Sequence, residues 1–302
     1  MHVIAVAGPT AAGKSALSVA LAHALGGEVI NCDSMQLYRG MDIGTAKLTP
    51  AEREGVPHHL LDIWPVTAPA SVAEYQQLAR AEIASIHGRG NVPLLVGGSG
   101  LYLRAVIEDF AFPGTDPRLR GALEAELASV GPGVLHERLR SLDPAAADSI
   151  LPSNGRRIVR ALEVIELTGR PFTASLPGPV PVYDALTIAV DRADLDDRIA
   201  QRVDHMWAQG FVEEVRKLEA EGLRDGLTAS RALGYQQILG FLEGNGTEEE
   251  AHTATVTGTR RFVRRQRSWF RRDPGVYWLD GTSDDLLGQA LELIRGRTNE
   301  VH

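Results

Sequence analysis

A single cysteine, Cys32, is the only thiol in the 302-residue chain. No disulfide can close within it, which excludes a disulfide-stapled scaffold and suits a reducing, cytoplasmic compartment. Long apolar runs are missing too. Nothing approaches the roughly 18 uncharged residues of a membrane-spanning helix, and the opening MHVIAVAG meets glycine too early for a signal peptide. A soluble chain with no membrane partner is therefore expected, and it is expected to act as a monomer. Internal repeats and low-complexity tracts are also lacking, while 44% hydrophobic and 23% charged residues furnish an ordinary globular core and exclude disorder.

What the chain does have is an alternation of short β-branched runs with helical patterns, the signature of a parallel sheet with crossover helices. Strands are expected at Val3 to Ala7, Glu28 to Asn31, His59 to Ile63, Val92 to Val96, Leu186 to Val190 and Val276 to Leu279. Between the fourth and fifth, repeats such as LRGALEAELASV and GRRIVRALEVIELTG are helical throughout, bounded by the Pro/Gly clusters FPGTDP and PGPVPV. The expected division is a core from residues 1–115, a helical insertion over 116–180, and the rest of the core over 181–302, whose long helical region from Leu195 to about Arg272 precedes the last strand.

The strongest local signal directly follows the first strand. Gly8-Pro9-Thr10-Ala11-Ala12-Gly13-Lys14-Ser15 is a complete G-x-x-x-x-G-K-[ST] motif, and the helical run SALSVALAHAL follows it. Its glycines let backbone N–H groups turn onto phosphate oxygens, Lys14 adds a point charge, the Ser15 hydroxyl suits Mg²⁺, and the helix N-terminus favours the anion. The fold class is therefore α/β, a P-loop NTPase-like parallel sheet with a helical insertion. One NTPase part is absent, however. The strand Pro93-Leu94-Leu95-Val96 does not end in a metal-holding aspartate but runs into Gly97-Gly98-Ser99-Gly100, a second turn suited to the same phosphates. The motif thus specifies a diphosphate-bearing ligand and not ATP hydrolysis. Asp33, at the end of the second strand, belongs where ligands of open α/β sheets bind. Its residue type and place fit a helix N-cap as well as a catalytic or metal-binding carboxylate.

Charge is distributed unevenly. The chain carries −8, yet residues 254–272, ATVTGTRRFVRRQRSWFRR, hold seven arginines and no acid, leaving −15 on the remainder. On a helix those arginines fill an arc of roughly 160°, opposite Phe262, Val263, Trp269 and Phe270. A one-signed face on an acidic protein points to a polyanion.

GPTAAGKS, DSMQLYRGMDIGTAK, LLVGGSGLYLRA, GRRIVRALEV and SRALGYQQ, in that order and spacing, resemble the bacterial tRNA dimethylallyltransferases, also called tRNA isopentenyltransferases, over nearly the whole chain. Two mild departures are Ala12, where the family often has Ser, and Ser99, where it often has Thr. The resemblance implies transfer of a dimethylallyl group from dimethylallyl diphosphate to N6 of the adenosine just 3′ of the anticodon. Lys14 and Mg²⁺, with Ser15 as its protein ligand, would neutralise the diphosphate leaving group, and Asp33 would take the N6 proton. The family pattern places Thr10, Ser99 and Arg198 at the diphosphate, with Arg202 an equally spaced competitor of Arg198. It also implies that the anticodon stem-loop of tRNA is held by Asp33-Ser34-Met35-Gln36, by Arg156, Arg157, Ile158, Val159 and Arg160, and by Arg231, Gly234, Tyr235 and Gln236, joined by Arg260 and Arg264 of the arginine helix. The competing readings are a small-molecule P-loop kinase consuming ATP, which leaves the arginine helix unused, and a non-catalytic RNA-binding module, which leaves the P-loop unused.

Overall fold

The computed structural model describes residues 2–110, 112–172 and 180–300, the last three by backbone alone. The chain forms two compact units, one of Met1–Glu108 with Pro181–His302 and the other of Asp109–Val180.

The first unit is built on strands β1 (His2–Ala7), β2 (Gly27–Asn31), β3 (His58–His59), β4 (Val92–Val96), β5 (Asp184–Asp191) and β6 (Val276–Asp280). They form one sheet in the order β3-β2-β4-β1-β5-β6, every neighbouring pair parallel. Central β1 is apolar on both faces, as a doubly covered parallel strand must be. Val3, Ala5 and Ala7 join one buried cluster, and Ile4 and Val6 the other. Register places Val6 beside both Val96 and Ile188, so the carboxyl ends of β1, β4 and β5 open at one edge.

Five strands fall where the sequence places them. The third does not extend as expected over His59 to Ile63: Leu60 and Asp62 both have φ of +58°, which ends the strand after two residues. That turn is held from outside, since Asn31 Nδ2 donates to the Leu60 carbonyl (3.0 Å) and Arg39 Nε to the Asp62 carbonyl (2.9 Å).

The helices of this unit are α1 (Lys14–Leu25), α2 (Val72–Gly88) and α3 (Gly100–Ile107) before the insertion. The insertion is helical as its repeats imply: α4 (Pro117–Leu142), α5 (Pro144–Ser149) and α6 (Gly155–Thr168) enclose their own core of Leu123, Leu135, Leu139, Ile158 and Leu162. Asp116 starts α4 by accepting N–H bonds from Arg118 and Leu119, and Pro117 fits the first turn, where its missing N–H costs nothing. The unit runs from Asp109, seven residues before the expected boundary. Residues 177–179 of the closing Pro/Gly cluster lie outside the described residues.

The expected long helical region is four helices broken by turns, namely α7 (Leu195–Ala208), α8 (Phe211–Ala220), α9 (Tyr235–Leu242) and α10 (Glu248–Phe270), with α11 (Leu286–Glu300) after β6. Helix α10 opens with a capping box between Thr247 and Glu250 and three acids in its first turn, and ends in arginine, the charge order its dipole favours. No helix among the described residues is long and apolar enough to cross a membrane.

Candidate functional site

The P-loop leaves β1 through Gly8 at φ +120°, where a Cβ would collide with the Val190 carbonyl oxygen of β5, so only glycine fits. The loop closes on Gly13 at φ +102°, and no side chain caps α1, which leaves the first N–H groups of that helix for an anion. Lys14 Nζ donates to the Pro9 carbonyl (2.7 Å). Burial pulls its pKa down to about 8, against the Asp33 carboxylate, which raises it, and with Arg202, which lowers it.

Two arginines of α7 reach the same place. Arg198 Nε donates to the Ala11 carbonyl (3.0 Å), while Arg202 has a buried Nε without a hydrogen-bond partner. The pKa of Arg202 is lowered by burial, with Asp33 opposing and Arg198 reinforcing that shift. One turn apart on α7, both arginines approach the P-loop. Three cations and one carboxylate in a desolvated pocket leave a positive excess that an anion relieves.

Asp33 follows β2, with Cys32 N–H still donating to the Val96 carbonyl (2.7 Å). No helix begins here, so the N-cap alternative is corrected. Asp33 Oδ1 accepts the Met35 N–H (3.0 Å) in an Asx turn, and Asn31 Oδ1 accepts the Asp33 N–H (2.9 Å). Ser99 lies alongside: its Oγ accepts the Ser34 N–H (3.3 Å) and is 3.4 Å from Ser34 Oγ. Gln36 donates to the Thr45 carbonyl (3.1 Å), so its amide N–H braces its own loop. Cys32, directly before Asp33, accepts a hydrogen bond from Tyr75 Oη (2.9 Å), and burial pushes its thiol up to about 12. A thiol reagent at pH 8 is expected to label Cys32 only as fast as the protein unfolds, checked by comparing labelling with and without denaturant.

The loop carrying Asp33 is fixed by residues that sequence reasoning missed. Lys47, almost fully buried, donates to the Tyr38 carbonyl (3.0 Å), Asp42 (2.6 Å) and Asp62 (2.6 Å). The Glu214 carboxylate of α8 accepts the N–H groups of Asp42 (3.1 Å), Ile43 (2.7 Å) and Gly44 (3.2 Å) as well as the Tyr235 hydroxyl (2.6 Å). Gln266 of α10, also missed, acts on the P-loop and on the turn after β4. Its Oε1 accepts the Thr10 N–H (3.0 Å) and its Nε2 donates to the Gly98 carbonyl (3.0 Å). The Gln at 266 interrupts the arginine run, as Ser268 does, a signal that only the fold makes readable.

A sequence profile described as IPP transferase matches residues 36–273. The chain belongs to the IPP transferase family. It is 70% identical over 295 residues to the tRNA dimethylallyltransferase of Salinispora arenicola, covering 97% of this chain and 86% of that one, and 60% identical over 299 residues to that of Acidothermus cellulolyticus, covering 98% and 94%. Among solved structures it resembles the full-length tRNA isopentenylpyrophosphate transferase of Bacillus halodurans, with TM-score 0.74 and 42% identity, covering 99% of this chain and 97% of that one. It also resembles a eukaryotic dimethylallyltransferase captured acting on tRNA, with TM-score 0.84 and 28% identity, covering all of this chain and 80% of that one.

Within this IPP transferase chain, several residues expected at the tRNA are occupied elsewhere. Ile158 and Val159 are buried in the core of the inserted unit, where their side chains pack. Arg160 donates to the Pro113 (2.6 Å) and Gly114 (3.1 Å) carbonyls and to Glu163 (2.7 Å). Tyr235 is fully buried against Phe211, and Gly234, at φ +85°, is glycine because a Cβ would strike that ring. Arg156, Arg157, Arg231 and Gln236 are exposed. The arginine face of α10 also divides. Arg267 pairs with Asp191 (2.8 Å) and Arg271 approaches it (3.3 Å), while Arg260 donates to the Asp196 carbonyl (3.1 Å) and keeps a buried Nε without a partner. Arg261, Arg264, Arg265 and Arg272 stand exposed. The uniformly cationic arc is thus narrower than the helical wheel implies, because one edge of it faces the acidic end of β5.

Proposed function

We propose that the chain transfers a dimethylallyl group from dimethylallyl diphosphate to N6 of the adenosine 3′-adjacent to the anticodon in tRNA, releasing diphosphate. The observation that carries this reading is the convergence of the P-loop, Lys14, Arg198 and Arg202 around the Asp33 carboxylate, with Ser99 and no acid at the end of β4. In the reaction the N6 lone pair forms a bond to C1 of the prenyl group as the C1–O bond breaks. The bonding electrons leave on the diphosphate oxygen. Lys14, Arg198 and Arg202 stabilise the charge that grows there, which is where preorganised cations act most strongly. Asp33 accepts the proton that N6 must lose, and an ordinary carboxylate suffices once the nitrogen has become cationic. The target base stacks within its loop and must be turned out to reach Asp33.

Mg²⁺ fits this site. It binds few protein oxygens and many from phosphate and water, and the described residues contain no cluster of three His, Cys, Asp or Glu but do set the Ser15 hydroxyl in the first turn of α1, beside Lys14. Ser15 and the diphosphate would hold the ion, which would supply further neutralisation of the leaving group.

Incubation with dimethylallyl diphosphate and tRNA, followed by digestion and mass spectrometry, should show one prenyl group on that adenosine. ATP consumption without tRNA would favour the kinase, and unmodified tRNA bound tightly would favour the binding module. The exposed arginines of α10 are assigned to tRNA phosphates. Replacing Arg261, Arg264 and Arg265 together by Gln is expected to weaken tRNA binding and flatten its logarithmic salt slope by about two units, with dimethylallyl diphosphate affinity unchanged. Titrations at several salt concentrations measure this, and an unaltered slope would remove these arginines from the interface.

A further inference from the structure

We infer that Gln266 is a positioning residue for the reaction proposed above, on which this inference rests: its single amide sets the spacing between the Thr10 and Ser99 sides of the diphosphate site. Thr10 lies on the turn after β1 and Ser99 on the turn after β4, two paired strands whose ladder ends with Gly97 N–H donating to the Val6 carbonyl (3.1 Å). Beyond that bond, Gln266 ties the two turns directly. It accepts from the Thr10 N–H and donates to the carbonyl of Gly98, the residue before Ser99. Only one orientation of the amide satisfies both partners, oxygen to the N–H and nitrogen to the carbonyl. The residue is 5% exposed and its bond to the Gly98 carbonyl is buried, so loss of the amide leaves a polar group poorly placed to be rescued by water.

The fit around it is close. A Cβ on Gly98 would collide with the Gln266 amide nitrogen, and one on Gly100 with the Trp269 indole. Helix α10 therefore presses on the second turn at both glycines, and a side chain at either would displace Gln266 or Trp269. The Thr10 N–H is also the one in this P-loop that turns to a side chain of a distant helix, 256 residues along the chain. An amide in that place fixes where the Thr10 and Ser99 side chains emerge without touching the ligand. Such misplacement, on the order of 1 Å, costs about 10²-fold in rate when the reacting geometry depends on it.

The Gln266→Glu substitution separates positioning from packing, because it keeps the shape and makes one of the two bonds conditional on a proton. One carboxyl oxygen still accepts from Thr10, whereas the other meets the Gly98 carbonyl and must be protonated to donate to it. Burial favours that neutral form. The experiment measures inorganic pyrophosphate affinity by calorimetry and single-turnover prenyl transfer with both substrates saturating, from pH 6 to 9, each as a ratio to wild type so that other titrations cancel. Gln266→Leu provides the comparison without either bond, and thermal melting reports folding. The expected result is a loss of about 10- to 100-fold in transfer and a weakened pyrophosphate affinity for Gln266→Glu at pH 9, both recovering toward wild type as pH falls. Gln266→Leu should stay impaired with a pH-independent ratio, and tRNA affinity should be unchanged in both. A pH-independent Gln266→Glu ratio, or wild-type transfer by Gln266→Leu, would overturn the inference, and the Gln266→Glu profile decides alone if Gln266→Leu does not fold. Wild-type protein that modifies no tRNA, yet shows the same pH-dependent pyrophosphate ratios, would retain Gln266 as the spacer of an anion site while removing the prenyl-transfer reading.

Discussion

Lys14→Ala is expected to reduce single-turnover prenyl transfer by about 10²- to 10³-fold, the cost of losing one preorganised charge at a developing anion, and to weaken diphosphate binding while leaving tRNA affinity nearly intact. The protein should be no less stable for it. Burial holds the Lys14 pKa at about 8 in the fold against an ordinary 10.5, so the charged form is disfavoured by folding. That penalty is fully present below pH 8 and is relieved as pH rises from 8 to 10.5. Removing the ammonium removes the penalty. The same shift sets a pH edge on binding. Diphosphate prefers the protonated lysine, so the contribution of Lys14 to affinity is constant below pH 8 and falls toward higher pH as proton uptake becomes part of binding. Calorimetry between pH 6.5 and 9.5 should find that edge in the wild type and none in Lys14→Ala. Normal transfer by the variant would move the phosphate site elsewhere.

For Asp33→Asn the expected loss is larger, about 10²- to 10⁴-fold in the chemical step, the usual worth of a general base. The turn should survive, since an amide oxygen still accepts the Met35 N–H that Asp33 Oδ1 accepts now. The carbonyl also keeps an acceptor for the N6 hydrogen bond, so lost rate reports lost basicity and charge, not a displaced adenine. A second effect follows from electrostatics. The Asp33 carboxylate raises the pKa of Lys14, so the variant should show its diphosphate-binding edge below pH 8. A magnesium titration of single-turnover rates, with both substrates saturating, tests the rival role. Rescue by raised Mg²⁺ would assign Asp33 to the metal shell, and a wild-type rate in Asp33→Asn would remove it from the mechanism.

The parts of this molecule that were legible in the sequence are those decided by local rules. Strand β4 was expected at Val92 to Val96 and lies there, because an apolar run between turn signals leaves few choices. The P-loop was equally readable, since its glycines answer to backbone φ values at fixed spacing. Legibility failed where a distant partner intervenes. The short run from His59 to Ile63 read as a strand, but bonds from Asn31 and Arg39 hold Leu60 and Asp62 in a turn. Seven arginines on one helix read as a single cationic face, yet Asp191 on β5 claims Arg267 and approaches Arg271, and no periodicity encodes that. Asp33 was readable by its place at a strand end. That it sits in an Asx turn rather than capping a helix was not, because both begin with the same residue type and the same side-chain acceptor.

The carboxylate of Glu214, closing on three consecutive N–H groups at Asp42 to Gly44, also bears on how the molecule comes into being. The segment from Asp33 to Lys47 lacks its anchor until α8 exists, roughly 170 residues later in synthesis, with the whole inserted unit made in between. A nascent chain can form β1 and α1 early, but the base-bearing loop stays unfinished until the C-terminal half emerges, and the P-loop likewise waits for its bonds from Arg198 and Gln266. Contacts of such separation form late because the loop entropy is spent before they reward it. Refolding followed by activity should therefore lag behind refolding followed by helix signal, and the last step to complete should be the seating of the loop that presents Asp33.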